Sequence, residues 1–374
     1  MRIELVSIGN ELLWGYTINS NAAFLSRELS QSGYKVSRHT VLSDEENAIA
    51  TGLKEALSRS DLVISTGGLG PTIDDLTRPI ASRLFETKGE ELENTIGAAA
   101  GVFFFSQGKA LILLPGVPRE MKKMFLDEAL PRIQKKFPLI HKPYLERLSF
   151  CLLKELEVDP FLREIQADHP ELEIGIFPSW GALQVVFRSE KPVAPYVKFL
   201  KEKFPTFYYG EGTIEEAVQR EMIARKKTLA AAESCTGGAI AASLTAIPDS
   251  SLYFLGSIVS YSNVWKERFL LVSHSTLKKP GSVSKKTVEE MVAGLFSETD
   301  ADYAVAVSGI AGPKGGTKET PVGTIFIAIG KRGEKTDAGL LQAPNDRASS
   351  IELAARASLG ALWRRLVHNT VTFS

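Results

Sequence analysis

Apolar and polar positions alternate with two periods along the first 140 residues. Short β-branched runs at 3–9 (IELVSIG), 35–42 (KVSRHTVL) and 61–68 (DLVISTGG) read as buried strands. Between them, apolar residues recur every three to four positions at 19–34 (NSNAAFLSRELSQSGY) and 45–60 (EENAIATGLKEALSRS), which predicts helices. Asn19 or Ser20 fits the cap of the first helix, and Gly33 its stop. DDLTRPIASRLF (74–85) reads as a helix that tolerates Pro79 near its start. KALILLPGVP (109–118) is a strand entering a Pro/Gly turn, and REMKKMFLDEALPRIQKK (119–136) is helical. Such alternation predicts a mostly parallel sheet with helices on both faces, whose ligands sit at the carboxyl ends of the strands. GNELLWG, TGGLGPTIDD and LPGVP all fall at such ends.

Residues 145–207 differ in texture. LERLSFCLL (145–153) and ALQVVFRS (182–189) read as strands, DPFLREIQADHP (159–170) as a helix and GIFPSWG (175–181) as a turn. A module of about 60 residues is near the lower size limit for an independent core and should lean on a neighbour. From 212 the first pattern returns. Helices are expected at 215–227, 237–246, 263–272 and 284–296, strands at 228–234, 254–262, 301–313 and 323–330, and a closing helix at 346–366. The fold class is therefore α/β: two three-layer domains with mostly parallel sheets, joined by a small α+β module. The expected boundaries are 1–142, 143–208 and 209–374.

Composition adds exclusions. Among 374 residues, 44 Lys and Arg balance 44 Asp and Glu, so no basic surplus argues for nucleic acid or an anionic membrane. Lys135-Lys136 and Lys226-Lys227 are too short a run to be more than solvated helix faces. Cys151 and Cys235, the only cysteines, make no disulfide framework and suit a reducing compartment. The N-terminus alternates like a strand rather than a signal peptide, and no apolar run reaches the roughly 18 residues that span a bilayer. A cytoplasmic location is expected.

The stretch AAAESCTGGAIAASLTA (230–246) carries the first chemistry. Ser234, Cys235 and Thr236 fall where a buried strand turns into a helix. Unpaired N–H groups and the helix dipole at such a corner suit a phosphate or an oxyanion, and Gly237 and Gly238 admit a close ligand. Helix capping explains the same residue types. A nucleophilic serine needs a base, and none of the five histidines lies in a glycine-rich turn. SYSNVWKERF (260–269) offers Lys266, with Tyr261 to relay the proton or hold the lysine. Bringing a lysine from about 10.4 to near 7 takes about 4 kcal/mol of burial and dipoles. The plainer alternative makes Lys266 a solvated helix residue and Tyr261 a strand residue. Cys235 is a rival nucleophile that strand alternation turns away from Ser234, and Ser251 is a third candidate hydroxyl. The loop SGIAGPKGGTKETPVGT (308–324) holds five glycines and two prolines and must run close over something. Arg347 could neutralise a phosphate or lie on the surface.

AESCTGG, YFLGSIVSYSNVWK, SGIAGPKGGT, PVGTIFIA and the DR before the final helix resemble the C-terminal domain of the CinA (competence/damage-inducible) family, over nearly all of 212–366. The resemblance implies a nicotinamide-nucleotide amidohydrolase that needs no cofactor and turns nicotinamide mononucleotide and water into nicotinic acid mononucleotide and ammonia. It implies Ser234 as nucleophile, Lys266 and Tyr261 as base and relay, and backbone donors at Thr236, Gly237 and Gly238. Ser308, Gly309, Gly312, Thr324 and Arg347 would line the nucleotide pocket. Trp265 stands where a small residue is usual, and Ser308 and Lys314 where Thr and Asp are commoner. A non-catalytic nucleotide- or pterin-binding accessory of competence is the alternative reading.

In the N-terminal part, TGGLGPTIDDLT (66–77) exposes backbone N–H groups at Gly67, Gly68 and Gly70 beside Thr72, followed by Asp74 and Asp75. Glu11, Asn19 and Asn21 add polar groups at another strand end. Asp74, Asp75 and Glu11 would suit a divalent metal holding a diphosphate, while Asp75 would equally cap the next helix. GNELLWGYTINSNAAFLSREL, TGGLGPTIDDLT and LLPGVPREM resemble the molybdopterin-binding fold at the N-terminus of the same family. That implies a metal-dependent ADP-ribose pyrophosphatase in some members and no demonstrated activity in others. The segment from Leu84 to Gly97 is shorter than members usually carry, and NTIGAAAG replaces an expected asparagine-proline and GTAPG pattern. The module at 145–207 resembles the family's KH-type linker, but without basic clusters it gives no case for RNA. A homodimer follows from the resemblance alone.

Overall fold

The structure, a computed structural model, describes residues 1–70, 75–344 and 346–373. The chain forms two compact units, Met1–Tyr144 and Leu145–Ser374.

The first unit is built on one sheet. Its strands are β1 (Ile3–Ile8), β2 (Val36–Leu42), β3 (Leu62–Thr66), β4 (Glu90–Leu92), β5 (Gly101–Ser106) and β6 (Lys109–Leu114), in the order β2-β1-β3-β6-β5-β4. The first four strands in that order are parallel, while β5 and β4 close the edge antiparallel. The helices are α1 (Asn10–Leu13), α2 (Ser20–Gln31), α3 (Glu46–Arg59), α4 (Thr77–Phe85) and α5 (Pro118–Met124). A π-helical turn, Phe125–Ala129, carries α5 into α6 (Leu130–Lys136). Strand alternation sends Leu5 and Ile64 to the face covered by α2, α5 and α6, and Val6 and Val63 to the face covered by α3 and α4. Asn19 caps α2, accepting from Ala22 N at 3.0 Å. β5 was not expected, because NTIGAAAG hides the start of its apolar run.

The second unit holds two sheets. β7 (Tyr144–Cys151), α7 (Glu155–Asp168), β8 (Glu173–Ser179), β9 (Ala182–Ser189), α8 (Ala194–Lys203) and β10 (Tyr208–Gly210) make the small module, with strand order β10-β7-β9-β8. The turn expected at 175–181 is a correction. Gly175–Ser179 belong to β8, which pairs with β9 through the two-residue turn Trp180-Gly181. Pro178 is tolerated there because β8 is an edge strand.

The larger sheet follows α9 (Ile214–Ala224). Its elements are β11 (Leu229–Glu233), α10 (Ala239–Thr245), β12 (Phe254–Val259), α11 (Asn263–Leu270), one-turn α12 (His274–Thr276), α13 (Lys285–Glu298), β13 (Tyr303–Gly309), β14 (Thr324–Lys331), β15 (Asp337–Gln342) and α14 (Arg347–His368). The order is β12-β11-β13-β14-β15. β12, β11 and β13 are parallel, whereas β14 and β15 are antiparallel, so this sheet is mixed. α9, α10 and α14 cover one face; α11 and α13 cover the other. α14 also packs on the small module. A Cβ on Gly360 would stand 3.0 Å from the Cys151 Cβ, a closeness only glycine permits. Both cysteines are free, and burial pushes both thiols up to about 12. Among the described residues no helix is long and apolar enough to cross a membrane.

Candidate functional site

The chain leaves β11 by α10 on one face of the larger sheet and leaves β12 by α11 on the other. The loops after these neighbouring parallel strands therefore diverge, which opens a crevice at their carboxyl ends. Ser234 follows β11 and Ser260 follows β12. Alternation fixes what faces where: Ala231 packs with α10, Ala232 with α13, Glu233 again with α10, and Ser234 towards α11.

Lys266 reaches this point from α11 with only 1% of its surface exposed. Its Nζ lies 2.9 Å from the Ser234 Oγ and donates to the Ser260 carbonyl at 2.6 Å. Burial pulls its pKa down from 10.5 to about 8, opposed by the neighbouring Cys235. At pH 7 about one such lysine in ten is neutral, against about three in ten thousand for an exposed one. The solvated-helix alternative for Lys266 is thereby excluded. Cys235 packs on the opposite face with α10 and α14, its thiol raised, so it does not share the lysine with Ser234.

Glu233, which sequence reasoning passed over, shapes the same corner. It is fully buried, and its carboxylate accepts from Gly238 N (3.1 Å), Ile240 N (3.0 Å), Ala241 N (3.0 Å) and Ser257 Oγ (2.9 Å). The chain's own anion thus fills the start of α10. Gly238 has no amide left for a ligand, and Gly237 N donates to the Ser234 carbonyl at 3.1 Å. Both corrections have one cause, the internal capping of the turn. Gly238 sits at φ 101°, which requires glycine there. The Thr236 hydroxyl is buried and, among the described residues, without a partner. A charged residue ending an all-apolar strand, LAAAE, was the available signal for Glu233, because a buried carboxylate must be paired.

Tyr261 is 61% exposed, and its hydroxyl accepts from Arg347 Nη2 at 3.1 Å. Its bond is to Arg347, and among the described residues it makes none to Lys266 or Ser234. Arg347 Nη1 donates to the Gly312 carbonyl at 3.2 Å, so loop 308–324 and the start of α14 meet at this guanidinium. The Ser308 hydroxyl donates to the Ser282 carbonyl at 2.7 Å. A Cβ at Gly309 would lie 2.9 Å from the carbonyl of Thr324, so this glycine serves the β13–β14 pairing. Thr324 opens β14 and is buried. Ser251 precedes β12, at the end of the strand opposite Ser260, about 16 Å away along the strand.

In the first unit the ends of β1, β3 and β6 bound a cleft of about 520 Å³, with Glu11, Asp44, Gly68, Gly70, Asp75 and Glu120 on its wall. A Cβ on Gly67 would strike the Ile8 carbonyl at 2.3 Å, which explains a glycine at that strand end. Asn19 is not free for a ligand: its Nδ2 donates to Ser7 Oγ at 2.8 Å while its oxygen caps α2. Asn21 Nδ2 donates to the Gly116 carbonyl at 2.8 Å. Thr72 and Asp74 lie outside the described residues. α4 starts after Leu76, so Asp75 stands one residue before the capping position. Among the described residues no group of three or more His, Cys, Asp and Glu could hold a metal ion. Glu11 and Asp75 share the wall, and Asp74, the third expected ligand, lies outside the described residues.

Comparison with known proteins follows this division. Residues 211–366 match the CinA C-terminal domain, and residues 4–135 match the probable molybdopterin binding domain. A CinA-like protein of Amoebophilus asiaticus is 35% identical over 98% of this chain and 99% of its own length. The chain belongs to the CinA-like family. A second member, from Thermotoga maritima, is 36% identical over 88% of this chain and 90% of its own. The crystal structure of the competence damage-inducible protein A from Klebsiella pneumoniae shares 36% identity, covering 42% of this chain and 100% of that one, with a TM-score of 0.41. Ser234, Lys266, Tyr261 and Arg347 all fall within the match to the CinA C-terminal domain, and the glycine-lined cleft within the molybdopterin-binding-like one.

Proposed function

We propose that the CinA C-terminal domain of this chain hydrolyses the carboxamide of nicotinamide mononucleotide to nicotinic acid mononucleotide and ammonia. The observation that carries the reading is the buried Lys266 amine held 2.9 Å from the Ser234 hydroxyl. Neutral Lys266 takes the Ser234 proton as Oγ attacks the carboxamide carbon, and a C–O bond forms. The resulting oxyanion would find a donor in the unpartnered Thr236 hydroxyl. The lysine's proton then goes to the leaving nitrogen, the C–N bond breaks and ammonia departs. Water, activated by the same lysine, releases the acid and restores Ser234. This scheme uses water and no cofactor. Arg347, beside the Tyr261 hydroxyl, is the cation for the nucleotide phosphate, since Glu233 already fills the start of α10.

Ammonia release from nicotinamide mononucleotide tests this directly. Wild type should release it, and Ser234→Ala should lose at least about 100-fold in turnover. A wild-type protein that binds the nucleotide without releasing ammonia would favour the accessory-binding alternative. We assign no reaction to the molybdopterin-binding-like domain, whose described residues do not assemble a metal shell.

A further inference from the structure

We infer that the second unit holds another site, between the small module, α9 and α14, which binds a free α-amino acid with an aromatic side chain. The inference does not depend on the amidohydrolase reading.

A hollow of about 300 Å³ opens where one face of the module's sheet meets the starts of α9 and the middle of α14. Leu183, Val185 and Phe187 of β9 pack with α7 and α8, so strand alternation turns Gln184 to the other face, into the hollow. Phe177 of β8 is the direct cross-strand partner of Gln184, which sets ring and amide side by side there. Phe177 is 57% exposed, and a Cβ on Gly175 would strike its ring at 2.6 Å, so the ring lies back along its own strand. α14 closes the opposite wall: a Cβ on Gly181 would stand 3.0 Å from the Arg356 Cβ. The volume is at the small end for ligand sites, which suits a molecule of amino-acid size. Arg347 opens α14 and Arg356 lies about 14 Å further along it, so the hollow is separate from the Arg347 corner.

The charges on the wall choose the ligand. Glu215 and Arg356 both line the hollow, and among the described residues they form no ion pair with each other. Arg356 Nη1 meets Glu352 at 3.1 Å, a half-exposed i,i+4 pair that contributes little. Glu215, half-buried in the first turn of α9, has no hydrogen bond or ion pair among the described residues. Its neighbours Thr213 and Glu216 are spent on capping that helix. Burial pushes the Tyr209 hydroxyl up to about 12; Glu215 adds to the rise and Arg356 opposes it, so both charges act on one point of the lining. A carboxylate and a guanidinium that flank one hollow without pairing are complementary to a zwitterion. The ligand carboxylate meets Arg356, its ammonium meets Glu215 and its ring lies against Phe177. Gln184 Nε2 reaches Ser149 Oγ only at 3.4 Å, which leaves its amide able to turn to the ligand. A phosphate in the same place would meet Glu215 as well as Arg356, which argues against a nucleotide.

Calorimetric titration of the full chain tests this with L-phenylalanine and two analogues, 3-phenylpropionate without the ammonium and phenethylamine without the carboxylate. Wild type should bind L-phenylalanine at least about 10-fold more tightly than either analogue. Glu215→Gln should weaken L-phenylalanine about 10-fold while 3-phenylpropionate binds as well or better, because the carboxylate that repels it is gone. Arg356→Gln should do the mirror image, weakening L-phenylalanine and sparing phenethylamine. Phe177→Ala should weaken all three by about fivefold. Urea midpoints report whether each variant folds, and the analogue comparison in wild type needs no variant. No binding of L-phenylalanine by wild type, equal affinity for the analogues, or variants that bind all three as wild type does overturn the site. So does a Glu215→Gln loss that is the same for all three compounds.

Discussion

At the ends of β1, β3 and β6 the polar side chains either line an open cleft, as Glu11 and Asp75 do, or bond back to the fold, as Asn19 and Asn21 do. At the ends of β11 and β12 a cation is buried to 1% exposure, and among the described residues it forms no ion pair. The two corners share glycine-rich turns, parallel strands and helices on both faces. They differ in whether the fold bears a cost that only chemistry explains. Carboxylates around a wet cleft cost little and imply little. Burial pushes an unpaired interior amine towards its neutral form, which is the state a general base requires. Unsatisfied burial, more than residue type, separates the two corners.

The largest test of that contrast is Lys266→Met, which keeps the volume and removes the base. Ammonia release should fall about 1000-fold, while the melting temperature holds or rises because no amine remains to be desolvated. The pH dependence gives the sign. With neutral Lys266 as the base of the proposed reaction, wild-type kcat/KM should rise with pH, pass half its plateau near about 8 and level off above that. Stability has its own window. The unfolded lysine titrates at 10.5 and the folded one near about 8, so between these values the unfolded chain binds more protons and stability rises with pH. Below about 8 that contribution is fully lost. Denaturant melts across this window should show the rise in wild type and not in Lys266→Met.

A second test compares the capping groups of the two units. Asn19 meets one N–H of α2, so Asn19→Ala should cost about 1 kcal/mol. Glu233 meets three N–H groups and a serine hydroxyl, all within the interior, so Glu233→Ala should cost about 3 kcal/mol. Urea midpoints for the two variants decide it. Equal costs would mean that the α10 corner is no more tightly specified than the α2 cap.

Much of this architecture was legible in the sequence because burial leaves a period. Apart from β4, β5 and β15, the strand patterns of both large sheets come through, and so does the meeting of Ser234 with Lys266, since a serine without histidine needs an amine. What stayed hidden depends on partners distant in sequence. Glu233 looks like an ordinary glutamate until Ser257 and the start of α10 close around it. β8 was hidden by Pro178, which an edge strand permits, and α8 by Pro195, which is harmless in a first turn. The partner of Tyr261 was hidden for a related reason. Spacing brings Tyr261 near Lys266 in sequence, but it faces Arg347, which lies 86 residues away.

The smallest expected effect concerns the Tyr261 hydroxyl. Tyr261→Phe removes a bond to the Arg347 guanidinium and leaves the bond from Arg347 to the Gly312 carbonyl in place. A single exposed hydrogen bond of about 1 kcal/mol corresponds to roughly a fivefold change in affinity. KM for nicotinamide mononucleotide should therefore rise by about that factor, through looser placement of the arginine, with kcat within twofold of wild type. Steady-state kinetics on the amide measure both quantities. A tenfold or greater fall in kcat with KM unmoved would return Tyr261 to the proton path.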